Sequence, residues 1–290
     1  MRPAGPADPS WQGGAWGERA FCVLCPNPSP MTLEGTNTWV LAEPGGTDVV
    51  VVDPGPLDEE HLRSVLDHVA GRDSRVALTL LTHGHWDHAE SAGRWAELTG
   101  APVRAVGRGE DDLTAGQTVR VGGLEVLVVP TPGHTGDSVS FLLPAEQVLL
   151  TGDTVLGRGT TVVAYPDGDL TSYLESLDRL RGLTASGAAT SIAPGHGPVV
   201  PDAAGTVEHY LRHRHERLEQ VRSAVLDLEA QASAATAGGR GAPATGKGPA
   251  ARDLADLVVE RVYADVPREV WPAARLSVLA QLDYLGRLPG

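Results

Sequence analysis

The hydrophobic residues of this chain predict a series of short strands. Between residues 20 and about 200, runs rich in Val, Leu and Thr are separated by turns that contain Gly, Pro or Asp. Such runs are typical of β-strands, and several are apolar throughout, as expected for strands that are covered on both faces. The predicted strands are residues 38–42, 48–53, 76–82, 125–130, 138–143 and 147–153.

Amphipathic segments lie between and after these strands. Residues 57–71 begin with acidic residues and end at glycine, as helices commonly do, and residues 88–99 and 170–183 are similar. From about 206 to 233, apolar residues recur at helical spacing, which predicts one long helix. The alternation predicts an α/β (α+β) fold in which sheet layers are flanked by helices.

Composition divides the chain into four parts. Residues 1–19 are rich in Pro and Gly without an apolar signal segment, which predicts a loose leader. Residues 20–231, including the long helix, form the main domain. Residues 232–251 consist mostly of Ala, Gly and Pro, with little side chain to bury, and predict a flexible linker. Residues 252–290 resume helical patterning, and a unit so small is expected to dock on the main domain.

The net charge narrows the classes of partner. It is −14 for the chain, and −13 of this falls on residues 1–201. There is no basic stripe that would drive strong nonspecific binding to nucleic acid. No apolar run approaches the ~20 residues that cross a bilayer. We therefore expect a cytoplasmic protein with no membrane partner, and a homodimer is compatible with the sequence.

The only two cysteines, Cys22 and Cys25, lie in a run that reads as a strand. Three residues apart on a strand, their side chains face opposite ways, and their Cα atoms are too distant for a disulfide. No second cysteine pair exists to complete a Cys₄ zinc site. We expect two small buried residues.

Seven His and Asp residues carry the clearest chemical signal. Four stand within six positions, as H-x-H-x-D-H directly after the strand 76–82, and the other three each stand beside a glycine near a strand end. Burying so many polar groups is costly unless something compensates them, and metal ions bind both imidazole and carboxylate. The seven residues are His83, His85, Asp87, His88, His134, Asp153 and His196.

This ordered set resembles the motifs of the metallo-β-lactamase superfamily. The resemblance implies an αββα sandwich with a binuclear centre at one edge, holding two divalent ions, zinc first, with Mn²⁺ or Fe²⁺ as alternatives. The implied ligands are His83, His85 and His134 for the first metal, Asp87, His88 and His196 for the second, and Asp153 for both. Two such metals would make hydroxide available for attack on a carbonyl carbon or phosphorus, and Asp87 or Asp153 would handle the proton.

Asp53, in V-V-D-P-G-P, matches the superfamily's first motif. The resemblance implies that it orients the ligand loop by hydrogen bonding and does not bind metal itself. A simple turn-forming Asp before Pro is the alternative.

Three further stretches are similar to the beta-lactamase-like-protein-2 subgroup: residues 27–39, 157–161 and 208–214. That subgroup ends in a small winged-helix-like module, which here would be residues 252–290. It contains an endoribonuclease for single-stranded RNA, and its relatives include acyl-carrier and glutathione thioester hydrolases. The resemblance implies a metal-dependent hydrolase that cleaves a short single-stranded RNA, with a small-molecule thioester as the alternative substrate.

Substrate contacts are predicted for Thr36 and Asn37, where the subgroup's first loop reaches the site, and for His213 on the long helix. Two other classes stay open, a redox protein on the same scaffold and a nucleic-acid-binding pseudo-enzyme, although the complete ligand set disfavours both. The remaining histidines are expected to have no special role. They are His61 and His68, on an exposed helix face, and His209 and His215, on the long helix. A metal site of His209 and His213, which are four apart on one helix face, is the alternative to a solvated or packed face there.

Overall fold

The computed structural model describes residues 11–107, 112–238 and 251–288, and within them the strands form two sheets. The first sheet has the order β1 to β6: Gly14–Trp16, Ala20–Leu24, Asn37–Ala42, Asp48–Val52, Arg75–Leu80 and Val103–Arg104. The second has the order β11-β10-β9-β8-β7, and in chain order β7 to β11 are Thr118–Val121, Leu124–Pro130, Val139–Leu143, Val148–Gly152 and Ser191–Pro194. The pairs β4–β5, β5–β6 and β10–β11 are parallel, and the other pairs are antiparallel.

Helices cover the outer faces of both sheets. In chain order α1 to α7 are Glu59–Ala70, Trp86–Ala89, Ala92–Thr99, Leu170–Ala185, Ala203–Gly238, Ala251–Val262 and Trp271–Tyr284, with a 3₁₀ turn at Arg268–Val270. Two of these helices begin at an aspartate whose carboxylate accepts backbone N–H groups of the first turn: Asp58 before α1 and Asp169 before α4. None of the helices in the described ranges is long and apolar enough to cross a membrane.

The main core lies between the two sheets. Apolar side chains from β3, β4 and β5 meet side chains from β8, β9 and β10 there, such as Leu41 and Val50 on one side and Val126 and Phe141 on the other. Two further clusters lie outside the sheets, one beneath α1 and α3 and the other beneath α4 and α5. The layers therefore run helix, sheet, sheet, helix, which confirms the predicted αββα sandwich.

The prediction of a loose leader is wrong for residues 11–19. Gly14–Trp16 pairs with β2 as the edge strand of the first sheet. Trp11 Nε1 donates to Asn37 Oδ1 at 2.8 Å, and Trp16 Nε1 donates to Ser191 Oγ at 3.1 Å. The two indoles supply the buried apolar area and the hydrogen bonds that the Pro and Gly residues around them lack. Residues 1–10 lie outside the described residues.

The long helix extends beyond the predicted end of the main domain at residue 231. It continues to Gly238 because the sequence after 231 is rich in Ala, the strongest helix former. The prediction of a flexible linker otherwise falls on residues 239–250, which lie outside the described part of the chain.

The C-terminal helices α6 and α7 pack against the second half of α5. Val221 and Val225 of α5 form a buried cluster with Val258 of α6 and Val278 of α7. Arg217 Nη1 donates to the carbonyl oxygen of Val262 at 2.8 Å, and the guanidinium lies over the Tyr263 ring, 4.4 Å from its centroid. Helix α5 is thus shared between the sandwich and the C-terminal helices.

Cys22 and Cys25 are buried and free, as the sequence predicts. His61, which the sequence places on an exposed face, is instead buried on the inner face of α1, with Nε2 2.8 Å from the hydroxyl of Thr38. Its position one residue before Leu62 puts it at the edge of the apolar stripe of the helix. Burial lowers the pKa of His61 to about 4.

Candidate metal centre

The seven predicted ligands come together at one edge of the sandwich. They lie on the turns and the short helix α2 that follow β5, on the loop after β8, and at the ends of β10 and β11. Their ligand atoms form three groups in which all the atoms lie within 4.8 Å of one another. The groups are His83, His85 and His134; His83, His88 and Asp153; and Asp87, His88 and His196.

Three ring nitrogens meet in the first group. His85 Nδ1 is 3.1 Å from His83 Nε2 and 3.0 Å from His134 Nε2. The third group is similarly close, since His196 Nε2 lies 3.1 Å from His88 Nε2 and 3.2 Å from Asp87 Oδ2. These short separations bring the predicted ligands of each metal to a common point.

Asp153 lies between the two groups. Its Oδ2 is 3.7 Å from His134 Nε2 and 3.4 Å from His196 Nε2, and its Oδ1 is 3.4 Å from His88 Nε2. Oδ1 is buried, and no described residue makes a hydrogen bond to it. A buried carboxylate oxygen without a donor is costly, and a cation between the groups would compensate it.

The outer nitrogens of the rings show which nitrogen is free to bind a cation. His134 Nδ1 lies 2.8 Å from the carbonyl oxygen of Val162, and His196 Nδ1 lies 3.1 Å from that of Gly35. A carbonyl only accepts, so Nδ1 of each ring carries a proton, and Nε2 is the nitrogen that faces the cluster and would bind a cation in the neutral ring. The His and Asp cluster is therefore able to hold metal ions.

Burial and neighbouring charges set the protonation of the cluster. Burial lowers the pKa of His83 well below its usual value and lowers that of His134 as well, so both rings are neutral at pH 7. Although burial opposes it, the nearby imidazoles of His196 and His88 lower the pKa of Asp153, and His196 lowers that of Asp87. Although burial opposes it, Asp153 raises the pKa of His196 to about 9 and that of His88 well above its usual value. Metals bind neutral imidazoles and ionised carboxylates, so metal binding at His88 and His196 would release their protons.

Asp53 lies behind the cluster and contacts two elements of it. Its Oδ1 accepts the backbone N–H of Thr82 at 2.8 Å. Its Oδ2 accepts the Thr82 hydroxyl at 2.6 Å and lies 2.9 Å from His88 Nδ1. The Thr82 oxygen is in turn 3.0 Å from His83 Nδ1. One carboxylate thus contacts a predicted ligand of each metal. It contacts His88 directly and His83 through Thr82.

Two glycines make room for this packing. A Cβ on Gly195 would lie 2.5 Å from Asp153 Oδ1 and 2.8 Å from the His88 ring. Gly152 has a φ of +49°, and a Cβ there would lie 2.5 Å from the Thr82 hydroxyl. These positions require glycine because the backbone passes directly against the side chains of the cluster.

Thr36 and Asn37, predicted to contact substrate, are both fully buried. Asn37 Nδ2 donates to the carbonyl oxygens of Pro194 and Gly197 at 2.9 and 2.8 Å. Thr36 pairs with His196 in a β-bridge. Their side chains have no exposed surface to offer a substrate, so the prediction of direct contact is replaced by an interior position that holds the loop around His196.

A cavity of about 140 Å³ adjoins the cluster, and His134 and Asp153 form part of its wall. The rest of the wall comes from two loops, which the sequence identified only by their similarity to the beta-lactamase-like-protein-2 subgroup. The wall residues are Pro30, Met31 and Leu33 of the first loop, and Leu156, Arg158, Gly159, Thr160, Thr161 and Val162 of the second.

His213, the third predicted substrate contact, is half-buried on α5 and is not part of this wall. Its neighbour Arg214 supports the wall instead. Arg214 is buried, its Nη2 donates to the carbonyl oxygen of Thr161, and its guanidinium lies 5.0 Å from the centroid of the Tyr173 ring. Helical spacing explains the difference, because residues one apart on a helix point in different directions.

Two tyrosines hold the same loop from behind. The Tyr173 hydroxyl donates to the carbonyl oxygen of Thr154 at 2.7 Å, and the Tyr210 hydroxyl accepts the N–H of Leu156 at 2.8 Å. Sequence reasoning missed Tyr173, Tyr210 and Arg214. The available signal was the spacing of Tyr210 and Arg214, which are four residues apart and therefore share one helix face.

Comparison with known proteins agrees with this architecture. The sequence profile of the metallo-beta-lactamase superfamily matches residues 31–114 and 106–196, and that of the beta-lactamase associated winged helix domain matches residues 255–287. The chain is 33% identical over 211 residues to "Beta-lactamase-like protein 2 homolog" of Caenorhabditis elegans, covering 69% of this chain and 68% of the relative.

Two further similarities concern other members. The chain is 32% identical over 257 residues to "Atrochrysone carboxyl ACP thioesterase" of Aspergillus fumigatus, covering 86% of this chain and 76% of the relative. In three dimensions it is similar to a metallo-beta-lactamase family protein from Thermus thermophilus, with a TM-score of 0.68 and 22% identity over 92% of this chain and 93% of the other. This chain therefore belongs to the metallo-beta-lactamase superfamily, with a beta-lactamase associated winged helix domain after its catalytic fold.

Proposed function

We propose that this chain is a metal-dependent thioesterase. The observation that carries the proposal is the chemistry of the cavity beside the cluster. Met31, Leu33, Leu156 and Val162 give it apolar walls, while His134 and Asp153 belong to both the wall and the cluster. An acyl group held against the apolar side chains would thus have its thioester carbonyl next to the cluster. The relative from Aspergillus fumigatus that is named as a thioesterase supports this choice.

The seven clustered residues would hold two divalent ions, divided as the sequence predicts. A set of five imidazoles and two carboxylates suits zinc, with Mn²⁺ or Fe²⁺ as alternatives. When bound, such ions polarise the carbonyl and lower the pKa of water. The outer hydrogen bonds of Asp53, Val162 and Gly35 would keep the inner nitrogens of the rings aimed at the metals.

The reaction is the replacement of a thiol by water at the acyl carbon. The water oxygen bonds to that carbon, the C–S bond breaks, and the sulfur leaves with the electron pair of the bond. Asp87 and Asp153, both ionised at neutral pH, are the candidates to accept the proton released by the water. That proton then passes to the departing sulfur, so the products are a carboxylic acid and a thiol.

Cleavage of single-stranded RNA is the second candidate. It is favoured by the similarity to "Beta-lactamase-like protein 2 homolog" and by the winged helix match. RNA sites usually stack bases on aromatic side chains and track the backbone with positive charge. In the part of the chain that the structure describes, the cavity wall has one arginine and neither lysine nor an aromatic ring of Phe, Tyr or Trp, and the chain carries a net charge of −14. These features favour the thioester.

The test compares the two substrates on one preparation of zinc-loaded protein. Thiol release from the pentanoyl thioester of N-acetylcysteamine is measured with a chromogenic thiol reagent, and cleavage of a labelled single-stranded RNA is measured on a gel. We expect thioester hydrolysis, abolished by His134→Ala and kept by the matched control His209→Ala, whose ring is exposed on α5. RNA cleavage that requires His134, without thioester hydrolysis, would reverse the choice.

A further inference from the structure

Arg158 is the one arginine or lysine on the cavity wall within the described ranges. We propose that its guanidinium binds an anionic group of the substrate, a carboxylate on the acyl part or a phosphate on the thiol part. The inference rests on the proposed thioesterase function and narrows it, from thioesters in general to those that combine an apolar chain with an oxyanion.

Most of the hydrogen-bonding capacity of Arg158 is unused. Its Nη1 donates to Glu34 Oε1, and Nε and Nη2 make no hydrogen bond within the described part of the chain. A guanidinium has five N–H groups in a planar arrangement that matches carboxylate and phosphate oxygens two at a time. The Arg158 side chain is 33% exposed, so a group in the cavity can reach the nitrogens that are left.

Glu34 holds the guanidinium in place. Its side chain is 13% exposed, and its Oε2 is buried and has no hydrogen-bond partner among the residues that the structure describes. A partly buried ion pair loses much of its electrostatic gain to the desolvation of both charges, and an unpaired buried oxygen adds to that cost. The role of the pair is therefore to fix the position of the Arg158 guanidinium and not to stabilise the fold.

Both residues of the ion pair are adjacent to residues that hold His196. The N–H of Gly157 donates to the carbonyl oxygen of His196 at 2.9 Å, and the carbonyl oxygen of Gly35 lies 3.1 Å from His196 Nδ1. Arg158 follows Gly157, and Glu34 precedes Gly35. The position of the guanidinium is thus fixed relative to the cluster. A residue in a fixed position can select substrates by the distance between their anionic group and their scissile bond.

The surroundings make Arg158 the decisive charge for an anion. A chain with a net charge of −14 repels an anionic substrate at long range, but salt limits that repulsion to about 10 Å. The same cavity wall contains Met31, Leu33 and Leu156, whose side chains bind an apolar chain and do not solvate a charge. A charge-assisted contact in such surroundings is stronger than one in water.

The experiment uses full-length, zinc-loaded protein and three thioesters. Pentanoyl-N-acetylcysteamine is neutral, glutaryl-N-acetylcysteamine adds a carboxylate on the acyl part, and pentanoyl-coenzyme A adds phosphates on the thiol part. We expect kcat/KM for one of the anionic thioesters to exceed that for the neutral one about ten- to hundred-fold, mainly through a lower KM. The thioester that gains identifies the source of the anionic group.

In Arg158→Gln the ratio of kcat/KM for the preferred anionic thioester to kcat/KM for the neutral one should fall to about one. In Arg158→Lys this ratio should fall only in part, because lysine keeps the charge without the planar fork. Arg120→Gln, at an exposed arginine of β7 that pairs with Glu125, is the matched control and should keep the ratio. A merely structural role of Arg158 would lower kcat/KM for all three thioesters alike. That result, or a wild-type ratio near one, would overturn the inference.

Calorimetric binding of glutarate and pentanoate to the same proteins separates this inference from the proposed function. Glutarate should bind more tightly than pentanoate to wild type, or CoA more tightly than N-acetylcysteamine, and Arg158→Gln should remove the difference. If that holds while no thioester is hydrolysed, the anion site stands and the thioesterase function is wrong. If thioesters are hydrolysed without any anion preference in rate or binding, the function stands and the anion site is wrong.

Discussion

The carboxylate of Asp53 lies 2.9 Å from His88 Nδ1, and the same oxygen accepts the hydroxyl of Thr82. A neutral amide cannot keep these two contacts together with the bond from the Thr82 N–H to Oδ1, because its nitrogen would face a donor in either orientation. Asp53 has a φ of +53°, so its backbone is held in the left-handed region that most residues avoid. These features together indicate a residue kept for its contacts with the cluster.

Asp53→Asn should weaken zinc binding about 10- to 100-fold, because the substituted amide no longer fixes His88 and, through Thr82, His83. The measurement is zinc affinity by competition with a chromogenic chelator. Asp67→Asn, on the exposed face of α1, is the control and should bind zinc as wild type does. Unchanged affinity in Asp53→Asn would show that Asp53 is only a turn residue.

Removal of metal should lower both activity and stability. A chelated protein retains the close ring nitrogens and the unpaired Asp153 Oδ1 with nothing to compensate them. At zinc concentrations about 100 times Kd, each bound ion adds about 2.7 kcal/mol to the free energy of unfolding. We expect a lower Tm after chelation, restored by zinc, and two zinc ions per chain by elemental analysis. One ion per chain at saturation would contradict the binuclear assignment.

Arg214→Met should loosen the loop that forms the cavity wall. The variant keeps the apolar stem but loses the bond to the carbonyl oxygen of Thr161 and the contact with the Tyr173 ring. We expect a free energy of unfolding lower by about 1–3 kcal/mol and a reduced kcat/KM. Arg212→Met, at an exposed arginine two residues away, should change neither quantity. Equal effects of the two variants would remove the supporting role from Arg214.

His61 should make the protein less stable in mild acid. Its pKa is lowered from 6.5 to about 4 by burial, so the folded state binds fewer protons than the unfolded state between these values. Stability from this source is complete above pH 6.5 and is lost as the pH falls toward 4, by about 2 kcal/mol at pH 5. In urea unfolding, the drop in free energy from pH 7 to pH 5 should be smaller for His61→Gln by that amount. The same drop in both proteins would show that His61 titrates normally.

The candidate ligands could be predicted from sequence because each is a rare residue type at a marked place. H-x-H-x-D-H follows an apolar strand, and a glycine stands beside His134, Asp153 and His196. The glycines indicate that the backbone passes close to the ligand side chains, as the structure shows at Gly195. Spacing and residue chemistry are local properties of the sequence, and here they were sufficient to predict which side chains form the cluster.

Other features depend on partners far away in the chain. Trp11 is held by Asn37, and Trp16 reaches Ser191, 175 residues later, so nothing near residue 16 distinguishes an edge strand from a loose leader. Similarly, the buried position of His61 is defined by its contact with Thr38. A single histidine or tryptophan in a sequence is compatible with either environment until the packing is known.

Helix α5 meets the cavity loop through Tyr210 and Arg214, and less than one turn later Arg217 meets the C-terminal helices. Inserting or deleting one residue between Arg214 and Arg217 would rotate everything beyond it by about 100° around the helix axis. The contacts on one side would then be lost while those on the other survived. Between Arg214 and Arg217, side chains can therefore be exchanged, but the number of residues must stay the same. Grafting a different C-terminal module onto this sandwich requires keeping the phase of α5 through Val225.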